Sequence, residues 1–550
     1  MTRRRGVAAT AALVVLLASA GAGSSAGQEA SSDLVRAACG LPQRFLVRSW
    51  NGYRADRAGE ILLFPKAPAF VGHGGLPHSG AWDYINDVPM FWYGPGQIAA
   101  RGEVGRPVTS ADIAPTQAEL IDFDFDAPDG RPMHEALDPG ATQPPRLVVL
   151  IVWDGAGDVV LNAWPGAWRQ MRALIPEGTW YRNSTVGSSP PSTAQIHASM
   201  GTGGFPRTHG LIAHHFRLGR EIVSPWEPGP NLLLTPSLAD VYDRSVGNRP
   251  EVGVVATVAI HLGMVGHGAM WGGGDRDMAV LRERPGASTL GAEGLDWRLS
   301  PNVAPWFRFP GYVNDLPALS TYLDEVDQLD GARDGAWRGH DLESEELLGG
   351  FHTPARIPYQ TRLMEEVVRT EGFGADDVPD LLFVNYKLTD EIGHRYTMNS
   401  IEMADSLRAQ DRALVEFTRF LDREVGRGRW VVAVTADHGH TPDPAMTGNF
   451  MISPAAIGAA VDAQFDGDGD DVRVIDLVQP AEIFINESEL AEHGHTLEEV
   501  AEFIMTLTKS DTASEGVVVS ADEAQDPVVS AAMPSSLLET LPCLATVREG

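Results

Sequence analysis

The chain has 550 residues, which at roughly 150 per domain allows several units or one large α/β domain with insertions. Hydrophobic residues make up 43% and charged residues 21%, a composition that excludes a mostly disordered chain. The formal charge of −32 repels phosphate backbones and anionic membranes, so no nucleic-acid polymer is expected as a partner, and an anionic substrate has to meet a local positive centre.

The N-terminus reads as an export signal over 1–27: Arg3, Arg4 and Arg5 precede an apolar run at 7–20, and small residues follow. That run is short for a bilayer span, and no later segment approaches the length of about 20 apolar residues that a span needs. Residues 28–550 are therefore expected outside the cytoplasm, secreted or periplasmic, with no transmembrane anchor once the signal is removed. The general and twin-arginine export routes both stay open. Cys39 and Cys543 are the two cysteines, and an oxidising compartment would let them pair; two unrelated buried thiols remain the alternative.

Four runs read as buried parallel strands: 146–153 (RLVVLIVW), 253–260 (GVVATVAI), 380–386 (DLLFVNY) and 430–436 (WVVAVTA). They are apolar throughout rather than alternating, as strands covered on both faces are. Between them lie helical patterns, clearest at 400–425, where apolar residues recur at three- and four-residue steps. The order predicts a doubly wound, mostly parallel α/β sheet with helices on both faces. A stretch at 272–358, rich in Gly, Asp, Arg and Trp, is expected to be an insertion packed over or beside the site. The acidic run at 466–471 (DGDGDD) is read as a solvated turn, because it lacks the closing Glu of a calcium loop.

In such sheets chemistry collects at the carboxyl ends of the strands. Three of those ends carry Asp154, then Asp390 and His394, then Asp437 and His438. Carboxylate with imidazole is a donor set for zinc and similar divalent ions. Taken singly, Asp154 reads as a helix cap and the Asp390/His394 pair as one face of a helical turn. Taken together, the three are hard to explain without a metal.

A fourth element lies between them, Ser189-Pro190-Pro191-Ser192-Thr193-Ala194-Gln195, followed by Gly201-Thr202-Gly203 and Thr208-His209-Gly210. With this element the motif order resembles the alkaline phosphatase superfamily, in particular its type I phosphodiesterase and nucleotide pyrophosphatase branch, over residues 146–440. The resemblance implies two zinc-like ions and a Thr or Ser nucleophile. Carried over by position, Asp154, Asp437 and His438 would hold one ion, Asp390 and His394 part of the other, and Thr193 would be the nucleophile, with Ser192 its rival. The family pattern needs one more His, normally supplied from far downstream, where His493 and His495 stand. An N-terminal stretch fits better: His78-Ser79-Gly80-Ala81-Trp82-Asp83-Tyr84, then Val88-Pro89, then Asp112-Ile113-Ala114-Pro115-Thr116 resembles the family's C-terminal metal segment. The order is thus expected to be circularly permuted, with 46–125 as the moved segment and His78 as the sixth ligand.

The chain departs from the family where substrate phosphate is held. An Asn commonly follows the His-Gly pair, whereas here His214 stands nearby and could donate the same hydrogen bond. The lysines are Lys66, Lys387 and Lys509. Lys387, Arg276 and, less directly, Arg207 are the candidate positive groups for the phosphoryl oxygens. The resemblance implies a secreted phosphoric ester hydrolase acting on a small-molecule phosphoester, a phosphodiesterase or nucleotide pyrophosphatase working through a phosphothreonine. A phosphomonoesterase or phosphonate hydrolase on the same site, and a non-catalytic ligand-binding relative, are the alternatives.

Overall fold

The computed structural model describes residues 32–72, 76–78, 80–226, 229–282, 297–344, 347, 352–467 and 471–548. The expected signal at 1–27 and residues 468–470 of the acidic run lie outside them.

The core is an eight-stranded mixed sheet in the order Met278–Val280, Val252–Val255, Asp380–Tyr386, Leu147–Trp153, Trp430–Thr435, Met90–Tyr93, Thr179–Tyr181, Gly102–Val104. The first five strands run parallel. Met90–Tyr93 runs antiparallel between its two neighbours, and the last pair is parallel again. Every residue of the 147–153, 380–386 and 430–435 strands is buried. Helices on both sides account for this, among them Thr193–Thr202, Arg356–Glu371 and Ile401–Leu421. The architecture is thus alkaline-phosphatase-like, with an inserted subdomain.

The apolar run at 253–260 makes a shorter strand than its composition predicts. Strand pairing stops at Val255, although backbone hydrogen bonds to the 280–282 segment continue to Thr257, and Ala259–Met264 winds into 3-10 turns. Met278–Val280 falls within 272–358, yet it closes the edge of the central sheet. Beyond it the described part of that stretch consists of 3-10 turns, the helix Leu323–Asp327 and a short hairpin of Ala336–Trp337 with His340–Asp341.

A second, four-stranded antiparallel sheet joins the two ends of the chain, in the order Ile475–Val478, Glu482–Ile485, Ile61–Pro65, Val529–Pro534. Nearby, Cys39 and Cys543 form a disulfide with a Cα–Cα distance of 5.8 Å. Among the described residues no helix is long and apolar enough to cross a membrane.

Candidate active site

The site follows from strand register. Tyr386 pairs with Trp153, and Thr435 pairs with Val152. One residue past Tyr386 and Trp153, and two past Thr435, Lys387, Asp154 and Asp437 therefore emerge side by side at the carboxyl edge, although more than 280 residues separate Asp154 from Asp437. Asp390 follows in the first turn of the helix Leu388–Tyr396, with His394 one turn on. Gly155, at φ +71°, and Gly393 lie against the His440 ring, where a Cβ at either position would collide with it.

Asp390 Oδ1 is ringed by imidazole nitrogens: His394 Nε2 at 3.2 Å, His78 Nε2 at 3.5 Å, His440 Nε2 at 3.6 Å and His438 Nε2 at 3.8 Å. The His78 ring stacks on His438 with centroids 3.5 Å apart. His438 Nε2 also lies 3.3 Å from Asp437 Oδ2 and 3.6 Å from Asp154 Oδ1. Three of these histidines pair Nδ1 with a backbone carbonyl: His78 with Pro191 at 3.2 Å, His394 with Leu76 at 2.7 Å and His438 with Gly439 at 3.1 Å. With Nδ1–H donating in each, the Nε2 lone pairs turn into the cluster, which is how metal-binding histidines are oriented.

Lys387 bridges the two halves of the site. Its Nζ donates to Asp154 Oδ1 at 2.9 Å and to Thr193 Oγ1 at 3.0 Å, and lies 2.7 Å from Asp390 Oδ2. Asp154 Oδ2 accepts from Asn385 Nδ2 at 2.8 Å and faces His261 Nε2 at 3.4 Å. Thr193 is the first residue of its helix. The neighbouring Ser192 hydroxyl is engaged by Gln195 Oε1.

Burial drives most of the electrostatics. It pushes His438 down to about 4 and His440 down to about 3, so both rings are neutral with lone pairs available. His78 is lowered by burial and then by neighbouring His438. Burial raises Asp437 to about 7, with the Asp154 charge adding to it. Asp154 and Asp390 go the other way: burial opposes their charge, but the Lys387 ammonium holds both below the usual carboxylate range. Against the same cost of burial, those carboxylates keep Lys387 protonated.

Several buried atoms of the cluster have no hydrogen-bond partner: Asp390 Oδ1, Asp437 Oδ2, His438 Nε2 and both ring nitrogens of His440. A buried polar atom without a partner costs about 1–3 kcal/mol. Neutral imidazole and carboxylate lone pairs converging in this way fit a divalent cation. The groups His78/Asp390/His438 and Asp154/Asp437/His438 each place three such atoms within 4.8 Å of one another.

Of the residues singled out in the sequence, Thr193, Asp154, Asp390, His394, Asp437, His438, His78 and Lys387 meet here. His214 is half-buried beside Ser192, lining a cavity of about 470 Å³ with Pro190, Ala213, Ile260 and Leu477, and burial lowers it to about 4. Arg276 is not brought in: its guanidinium donates to the carbonyls of Phe307 and Ala304. Arg207 lies over the Trp50 ring at 3.8 Å. His493 and His495 pair with Glu489 and Glu499 on their own helical turns. His261, His197 and Asn385 are part of the site but were not singled out, and His440, which closes the Asp437-His438-Gly439-His440 run, was a rival to His78 and not an assigned ligand. His440 carried a signal, standing two residues past the His438 ligand position, while Asn385 is masked by its place in an apolar strand.

A buried cluster of histidines and carboxylates at the carboxyl edge of a mixed α/β sheet, with a helix-start hydroxyl beside it, defines a metal-binding hydrolase of the alkaline phosphatase superfamily. Residues 148–530 match the family model described as Type I phosphodiesterase / nucleotide pyrophosphatase, and the chain belongs to that family. It is 26% identical over 436 residues to alkaline phosphatase PafA of Elizabethkingia meningoseptica, covering 69% of this chain and 76% of that one. Alkaline phosphatase PhoV of Synechococcus elongatus is 24% identical over 356 residues, covering 56% of this chain and 61% of that protein. The crystal structure of wild-type PafA superposes with a TM-score of 0.50 at 19% identity, over 69% of this chain and 79% of that chain, a likeness of fold. The chain is an enzyme, a phosphoric ester hydrolase.

Proposed function

We propose that the chain is an exported phosphodiesterase or nucleotide pyrophosphatase that works through a phospho-Thr193 intermediate, with zinc as the favoured ion. The observation that carries this is the place of Thr193 Oγ1: at a helix start, 3.0 Å from Lys387 Nζ, beside Asp154 and the histidine cluster. A threonine hydroxyl is a weak nucleophile at neutral pH, and a hydrogen-bonded ammonium lowers the cost of negative charge on its oxygen. Thr193 Oγ1 forms the bond to phosphorus as the bond to the departing ester oxygen breaks; water then cleaves the phosphothreonine and restores the hydroxyl. A bound divalent ion would supply Lewis-acid stabilisation of phosphoryl charge. Asp390, His394, Asp437, His438, Asp154 and His78 are the residues proposed to hold ions, with His78 taking the place of the family's C-terminal histidine. His214 lines the cavity that Ser192 borders and is proposed to donate to a phosphoryl oxygen.

The cavity supports a diester, because it reaches Ser192, one residue from the proposed nucleophile, and offers room for a second ester substituent. A phosphomonoesterase is the second reading, supported by the names of the matched relatives, PafA and PhoV, both alkaline phosphatases. The Cys39–Cys543 disulfide supports export to an oxidising compartment. A panel of nitrophenyl phosphate monoesters, diesters and nucleotide substrates on zinc-loaded protein tests the choice. A higher kcat/KM on diesters or nucleotides is expected, and a preference for monoesters moves the assignment to the second reading.

A further inference from the structure

Lys387 is placed as a cation rather than as a free surface lysine. An ammonium has three N–H donors, and Lys387 Nζ has three acceptors in reach: Asp154 Oδ1 at 2.9 Å, Asp390 Oδ2 at 2.7 Å and Thr193 Oγ1 at 3.0 Å. Register accounts for this geometry, because the residue after the 380–386 strand must stand beside the residue after the 147–153 strand. Both oxygens of Asp154 are engaged. Its Oδ1 is held by Lys387 and its Oδ2 by Asn385 Nδ2.

The two oxygens of Asp390 face different partners. Oδ2 meets the ammonium, whereas Oδ1 has no hydrogen bond and looks into His78, His394 and His440 at 3.2–3.6 Å. Two ligand atoms on a tetrahedral zinc with bonds of 2.0–2.1 Å stand about 3.3–3.4 Å apart, close to the separation of Asp390 Oδ1 from each of these three nitrogens. In the other half Asp154 already meets the ammonium.

We infer that Lys387 itself supplies one of the site's two cations: its ammonium takes the place between Asp154 and Thr193 where a second ion would bind, and one divalent ion is held tightly at Asp390 Oδ1, His78, His394 and His440. This rests on the proposed reading of the site as a metal-binding hydrolase centre. Lys387 then acts as the positioning group for Thr193 Oγ1, and the ion at the histidines serves the substrate. Asp437 and His438 remain as a weak second position that opens when the ammonium is removed.

Metal counting on the full chain, after zinc loading and dialysis, tests the inference without reference to turnover. Wild type should retain about one zinc, and Lys387→Arg, which keeps the charge, the same. Lys387→Met should retain about two, its second ion bound at least about tenfold more tightly than in wild type, since a like charge beside the site is gone. A cobalt titration of wild type followed by visible absorption gives a second measurement should Lys387→Met fold poorly; it should show one tight tetrahedral site and a second of much lower affinity. Two tight ions in wild type, or an unchanged count in well-folded Lys387→Met, overturns the inference. Such a result leaves the phospho-Thr193 reading standing, since that reading is tested by turnover of Thr193→Ala and not by ion count. No tight ion in either protein overturns both the inference and the metal centre on which it rests.

Discussion

The carboxyl edge of the central parallel strands and the small antiparallel sheet that joins the chain ends both bury charge, but they treat it in opposite ways. In the small sheet Glu60 accepts twice from Arg217, at 2.8 and 3.0 Å, and the same guanidinium reaches Asp476 at 3.0 Å. Glu482 is buried with a backbone donor from Gly59 at 3.3 Å, and burial raises it to about 7. At the carboxyl edge Lys387 and Asn385 serve Asp154 and one oxygen of Asp390, but Asp390 Oδ1, Asp437 Oδ2, His438 Nε2 and the His440 nitrogens have no hydrogen-bond partner. The first region has settled its charges internally. The second is complete only with something positive in it, and that difference separates scaffold from site.

The largest expected effect lies at the nucleophile. Thr193→Ala should lower turnover by about a thousandfold or more while leaving the metal count unchanged, because the hydroxyl supplies a step that water must otherwise replace. If Ser192→Ala proved the crippling change instead, the hydroxyl assignment would be wrong.

Next comes the ligand from the N-terminal segment. His78→Ala should weaken zinc binding by about 10- to 100-fold, as loss of a group orienting or holding a metal does, whereas His493→Ala should leave it as in wild type. The reverse result, read by competition with a chromogenic chelator, would place the sixth ligand downstream and remove the case for permutation.

The disulfide sharpens the comparison from the scaffold side. Replacing Cys39 and Cys543 by serine should cost about 2–5 kcal/mol of stability, measured by denaturant unfolding. Zinc content and kcat in the folded double variant should match wild type, and a matching collapse of activity would show that the two regions are one unit.

The smallest effect concerns Glu482. Its carboxyl is raised from 4.5 to about 7 in the folded chain, so the native state holds the proton more tightly than the unfolded one. Its contribution to stability is therefore present below about pH 4.5 and is lost as pH rises to about 7, by at most about 3 kcal/mol. The difference in unfolding free energy between wild type and Glu482→Gln should change over that window in the variant's favour and stay flat above it. A pH-independent difference would mean that Glu482 is ionised in the fold.

What the amino-acid sequence determined by itself was whatever depends on neighbours along the chain. Unbroken apolar runs place 147–153, 380–386 and 430–435 as strands buried on both faces, and the residue types after them already carry metal chemistry. Even there, a run such as 253–260 overshoots, because composition does not show where the chain leaves the sheet. Tertiary structure alone decided which of these ends meet. Strand order sets Asp154 between Lys387 and Asp437, and it brings Asn385 and His261 onto the same carboxylate. Arg276, as plausible as Lys387 on paper, is instead turned onto the carbonyls of Ala304 and Phe307. The physical reason is that periodicity and propensity are local, whereas a hydrogen bond between residues 154 and 387 exists only once parallel pairing has fixed the register that places them side by side.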